Sequence, residues 1–218
     1  MYCSLFASDN QFWNDLSTQQ REQLQKGEAV VVEEDVPESA WPRFIIYDLV
    51  NASPEEVASV FWNSELDSQY VPNCLSVRII DRPCPWVYDG EFTLKMPFFL
   101  PNEVYVSRNE LHPPSVGDYE ISWKVLSSHY IKACEGDLQI ETQGSGEGGK
   151  KQEVSLIRYS NLVKPGSKFA ALLRSRAGVQ VVESVKALVT RVNHEASCDP
   201  QLLSRQVQAL KNSLPPHR

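Results

Sequence analysis

No stretch of this sequence strings together the roughly 18 uncharged apolar residues that a membrane-spanning helix needs, so any membrane contact has to be peripheral. Positive charge is scarce as well: Lys and Arg total 21 against 28 Asp and Glu, a formal net charge of −7. Binding to nucleic acid through the phosphates needs a surplus of cations, so nucleic acid is not an expected partner. Histidine is rare, and His112, His129, His194 and His217 each stand singly. There is no H-E-x-x-H helix, no Cys/His spacing of a zinc site, no G-x-S-x-G and no glycine-rich loop opening a helix. No metal, cofactor or catalytic residue is therefore assigned.

Paired thiols are also missing. Cys3, Cys74, Cys84, Cys134 and Cys198 form no C-x-x-C motif and, being odd in number, cannot all pair within one chain. Cys74 and Cys84 flank one apparent strand; if it runs to Asp81 at about 3.3 Å per residue, they lie roughly 20 Å or more apart, well beyond the ~7 Å a disulfide tolerates. A reducing compartment is expected, with the cytoplasm as default. Met1 to Trp13 lacks the basic and apolar stretches of a signal peptide, although a removed leader would leave no trace. What is present suits a folded protein: 218 residues, 42% hydrophobic and 22% charged, enough for one large domain with an arm.

Local signals order the chain. Ser17 and Gln20 form a capping box for a helix ending at Lys26–Gly27. Strands are predicted over 28–36 and 43–50 from their β-branched and aromatic runs. Ser53 as cap, Pro54 at the first turn and Glu56 three residues after the cap open a helix, with a short successor from Ser64 that stops before Pro72. From Cys74 the period becomes two. Trp86, Tyr88, Phe92, Leu94 and Met96 alternate with Val87, Asp89, Glu91, Thr93 and Lys95, and Tyr119, Ile121, Trp123 and Val125 repeat the pattern. Turns at 83–85, 113–118 and 144–149 separate the runs, so an antiparallel meander is predicted. A last strand over 152–163 and a Pro165–Gly166 break lead into a long helix, 168–195, about 40 Å in length, and a shorter helix follows within 199–214.

Several side chains stand out as candidates for a site. A dry sheet face needs a cover, and the long helix with Phe169 and Leu173 is the apolar helix available for it. Aromatic stripes such as Trp86, Tyr88 and Phe92 serve equally as plain core. Arg108 shares parity with Val104 and Val106, which would aim its guanidinium inward, and Glu135, in parity with Ile131 and Ala133, would be its partner; a bulge or strand end would turn Arg108 to solvent instead. The apolar loop Met96–Pro101, with Phe98 and Phe99 fenced by prolines, would line an entrance or pack under the N-terminal arm. Lys168, Arg174, Arg176, Lys186 and Arg191 outnumber Glu183 and Glu195 along the long helix, which would let it touch anionic lipid or merely solvate one face.

The order of strand, two short helices, antiparallel strands and one long helix resembles the START-like superfamily, also described as polyketide cyclase and coenzyme Q-binding-like. The resembling residues are 50–57, Val-Asn-Ala-Ser-Pro-Glu-Glu-Val, followed by Tyr70-Val71-Pro72-Asn73, and at the other end Leu156 to Gly166 with the helix after it. The resemblance covers about residues 43–195. It implies an α+β helix-grip fold, a curved antiparallel sheet wrapped around a long C-terminal helix, as a ligand-binding domain over 41–196; the N-terminal arm over 1–40 and the extension over 197–218 depart from the family pattern. It also implies an internal cavity for an apolar small molecule such as a lipid, sterol, quinone or polyketide. The expected wall comprises Trp86, Tyr88, Phe92, Leu94, Phe98, Phe99, Trp123, Phe169 and Leu173, with Arg108 and Glu135 as polar anchors. A non-catalytic carrier or sensor is the leading reading. A cyclase- or aromatase-like enzyme using Arg108, Glu135 or Tyr159 is one alternative, and a protein-interaction module, favoured by a cavity too small for a ligand, is another.

Overall fold

The computed structural model describes residues 11–96, 100–113, 117–145, 153–166 and 174–215. Helices α1 (Gln11–Asp15) and α2 (Thr18–Gln25) form the arm. The capping box of α2 is made as its sequence requires, Ser17 taking the Gln20 amide and Gln20 returning to the Ser17 amide, and Gly27 supplies the positive φ of 78° that ends the helix. Helix α3 (Pro54–Trp62) repeats the device with Ser53 and Glu56, and a 3₁₀ turn, Ser64–Gln69, follows it.

Eight strands make one antiparallel sheet: β1 (Val30–Glu34), β2 (Arg43–Val50), β3 (Cys74–Cys84), β4 (Val87–Leu94), β5 (Glu103–His112), β6 (Tyr119–Ser128), β7 (Ile131–Ser145) and β8 (Glu153–Pro165). Their order is β1-β2-β8-β7-β6-β5-β4-β3, so α3 and the 3₁₀ turn carry the chain from the β2 side to the far edge. Register shifts interrupt β3 against β4 at three places, β5 against β6 after Val106, and β7 against β8 after Ile131 and after Thr142. Such bulges bend a sheet and strengthen its twist. Helices α4 (Arg174–Cys198) and α5 (Pro200–Ser213) close the chain.

The main core lies between the inner sheet face and the helices. Ile46, Val50, Leu138, Ile140 and Ile157 from the sheet meet Val57 and Val60 of α3 and Val185, Leu188 and Val192 of α4. Leu203 and Leu210 of α5 belong to the same cluster, packed on α3, so this terminal helix is built into the core. A smaller core sits on the outer face, where Phe12, Leu16 and Leu24 of the arm cover Val30 and Leu156. The Glu141 carboxylate fastens the arm by accepting the Phe12 and Trp13 amides at 3.2 and 3.0 Å.

Two expected inward side chains point the other way. In β5 the odd positions are inside: Glu103, Ser107, Asn109 and Leu111 are buried, and Asn109 stands opposite Tyr88. Arg108 therefore faces outward with its cross-strand neighbour Asp89, in a bidentate ion pair with both bonds at 2.8 Å. Val104 and Val106 were misleading guides, because they too face out while the polar residues line the interior. In β7 the bulge after Ile131 breaks the parity that linked Ile131 to Ala133 and Glu135. Cys134 takes the inner position, and Glu135 bonds Arg43 on the outer face at 3.3 Å with its side chain 62% exposed.

Candidate functional site

Between the inner face of β3–β8, the 3₁₀ turn and α4 lies a cavity of about 980 Å³. That is at the upper end of the ~300–1,000 Å³ range usual for small-molecule sites. Much of its wall is aromatic. Trp123 lies 4.9 Å from Tyr159 and 5.6 Å from Phe61 between ring centroids, while Phe92 and Tyr105 stack at 5.0 Å with planes 5° apart. Gly136 makes the Trp123 position accessible: a Cβ there would fall 2.4 Å from the indole and 2.3 Å from the Ser160 carbonyl oxygen. The indole N–H donates to Asn161 Oδ1 at 3.2 Å, which fixes the ring across the strand. Val125, Val163, Val185 and Leu188 complete the apolar surface.

Polar groups enter this wall at few places. Asp67, on the 3₁₀ turn, accepts the Tyr70 hydroxyl at 2.8 Å. Burial pushes its carboxyl from 3.8 up to about 7, with the Tyr70 bond acting in the opposite direction. Tyr70 is backed by Arg191 of α4, whose guanidinium sits 5.7 Å from the ring centroid and pairs with the buried Glu195. The Tyr88 hydroxyl donates to Ser64 Oγ at 2.8 Å. Glu103 is buried and saturated: Oε1 accepts from Ser128 Oγ and the His129 amide, and Oε2 from the Tyr130 amide, all at 2.9 Å. Burial raises the Cys74 thiol to about 11 and Cys134 to about 12, so both stay protonated and are poor nucleophiles. Among the described residues no group of three His, Cys, Asp or Glu side chains is placed to hold a metal ion.

No family model matches the chain, and no curated protein matches it. Solved structures do. A STAR-related lipid transfer protein fragment from Xanthomonas axonopodis superposes with a TM-score of 0.60 at 15% identity, over 75% of this chain and 93% of that one. Human STARD10 gives 0.60 at 13% identity, over 92% of this chain and 89% of its own. The Zhui aromatase/cyclase of a Streptomyces species gives 0.55 at 12% identity, over 72% and 96%. The fold is the START-like helix-grip. At such identities the likeness concerns architecture, and the ligand has to be argued from the wall itself.

Of the side chains expected to line a helix-grip cavity, the structure brings Tyr88, Phe92, Leu94 and Trp123 into the wall. Trp86 sits in the β4 turn and packs on the main core cluster instead. Arg108 and Glu135 face the opposite side of the sheet, in a polar groove shared with Arg43, Lys124, Asp137 and Arg158. Phe98, Phe99, Phe169 and Leu173 lie outside the described residues; of the expected entrance loop, Met96 lines the cavity. The anionic-lipid face expected of the long helix is largely paired where it is described: Arg174 bonds Glu33 at 2.7 Å and Arg191 turns inward to Glu195.

Sequence reasoning missed Asp67, Tyr70, Tyr105 and Asn161. Asp67 and Tyr70 fall in the short helix predicted from Ser64, and no periodicity runs through a 3₁₀ turn to betray an inward side. The Tyr70-Val71-Pro72-Asn73 segment was singled out only by its resemblance to the superfamily, and all four of its residues line the cavity.

Proposed function

We propose that the chain binds and carries an apolar small molecule in this cavity. The observation supporting the reading is a single internal space of about 980 Å³, walled by stacked aromatics and aliphatics, beneath one long helix. Apolar surface facing water costs about 25 cal/mol per Å², so such a wall is stabilised when a ligand covers it. The size of the space favours this reading over an interaction module, for which a cavity too small for a ligand would have spoken. Native mass spectrometry of the purified protein, followed by titration with the neutral dye Nile red, tests the proposal. Val125→Trp should fill the wall and lower dye affinity at least about tenfold, the scale of one lost large apolar contact. A folded variant that binds the dye as the parent does would place the ligand elsewhere.

A second reading, ring closure or aromatisation of a bound chain, is favoured by one observation: the Asp67–Tyr70 pair offers a carboxyl near neutrality inside the cavity. Incubation with a reactive polyketone, monitored for loss of water by mass, separates the two readings. An unchanged ligand supports carriage.

A further inference from the structure

On the reading that the cavity holds a ligand, its charges and ring faces narrow the ligand's chemistry. Two carboxylates stand inside, and a third, Glu183 of α4, lines the wall where it is exposed. Glu103 has both oxygens committed to protein donors. Asp67 has one committed, to Tyr70; the other finds no partner among the described residues and is not sealed within the protein. Tyr105 and Tyr159 share this end of the cavity, near enough to feel the Asp67 charge, and burial keeps both hydroxyls protonated. Neither hydroxyl has a hydrogen-bond partner among the described residues. The one cationic side chain in the described wall is Lys95, which is exposed at the rim. Arg191 stands behind Tyr70 and is bound to Glu195.

We propose that the cavity selects an uncharged, flat-ringed molecule bearing a hydroxyl, which donates to the free oxygen of Asp67 and accepts from Tyr105 or Tyr159. The rings lie against the Phe61–Trp123–Tyr159 cluster and the Phe92–Tyr105 stack, where offset and edge contacts add to plain burial. A carboxylate or phosphate at the inner end meets Asp67 with no cation to offset it and is rejected. A protonated amine is disfavoured for other reasons. It gives up its hydration to an apolar wall, and the high pKa of Asp67 leaves that carboxyl only partly charged near neutrality.

Four matched fluorescent probes test this at pH 7: pyrene, 1-hydroxypyrene, 1-pyrenecarboxylate and 1-pyrenemethylammonium. Hydroxypyrene should bind about tenfold tighter than pyrene, the scale of one hydrogen bond to a partly charged acceptor, and the carboxylate at least about tenfold weaker. In Asp67→Asn the oxygen still serves Tyr70 while an amide N–H faces the cavity. The hydroxyl preference should then fall to within about threefold and the carboxylate should gain. If that variant does not fold, Tyr159→Phe keeps the test alive, since it should weaken hydroxypyrene and leave pyrene alone. Equal binding of all four probes, or tightest binding of the carboxylate or the ammonium, overturns the inference and leaves the cavity reading standing. No binding of any probe or of Nile red removes both.

Discussion

Asp67 couples the cavity to pH through a half-buried carboxyl in the cavity wall. Its pKa rises from 3.8 to about 7 because burial disfavours the charged form. The folded protein therefore keeps a proton that the unfolded chain has released across that interval. Stability falls as pH climbs from about 4 to about 7, and the loss is fully present above that window. Asp67→Asn should then raise stability at pH 8 by on the order of 2 kcal/mol or more and change it little at pH 3.5. Urea titrations at the two values check the sign; an equal gain at both would assign the effect to packing. Asp48, raised to about 6 chiefly by burial, adds a slope of the same sign to parent and variant alike and cancels in the difference. Arg108 offers the opposite lesson. It pairs with Asp89 on the outer face, so Arg108→Leu should leave ligand affinity within about twofold while lowering the melting temperature, because Asp89 loses both its bonds. Calorimetry and a Nile red titration on the same sample report both quantities.

The arm is held by chemistry that its own helices could not provide. Helix α1 has five residues, too few to persist alone, and its first amides are satisfied by Glu141 from β7. Glu141→Gln replaces charge-assisted bonds with neutral ones and should cost about 1 to 2 kcal/mol. Hydrogen exchange should quicken over residues 11–25 before any change in the main core; uniform loss of protection would mean that arm and sheet open together. Nothing in the sequence announced this latch, because a glutamate 129 positions from its partner leaves no local pattern. The caps were legible for the opposite reason. Ser17 with Gln20 and Ser53 with Glu56 are complete within four residues, and each helix begins where they place it. The strands were legible as elements, yet β5 was assigned the wrong inner face. Ser107 and Asn109 face a cavity, where a ligand site wants polar groups, and that inverts the rule of apolar side chains inside.

At the scale of the whole molecule, the helix-grip order could be read from the chain because each hairpin follows its predecessor in space; the exception is β2, which pairs with β1 and β8. The cavity was less legible. Its wall depends on which residues a bulge moves from one face to the other, as Cys134 and Glu135 show, and bulges have no dependable sequence mark. The same irregularity has a consequence for the sheet's margins. One margin is β1, five residues long and ending in Glu33 and Glu34; the other is β3, eleven residues with Leu75 and Ile80 exposed. A long bare margin with apolar side chains invites another chain to add a strand. Three register breaks, with Arg78, Asp81, Arg82 and Pro83 set among them, make β3 a poor template for such addition. The protein should accordingly stay monodisperse when concentrated. Replacing Asp81 and Pro83 together with valine should bring concentration-dependent growth in light scattering, with unchanged circular dichroism at low concentration, so that the bends which shape a ligand wall also keep one molecule from knitting itself to the next.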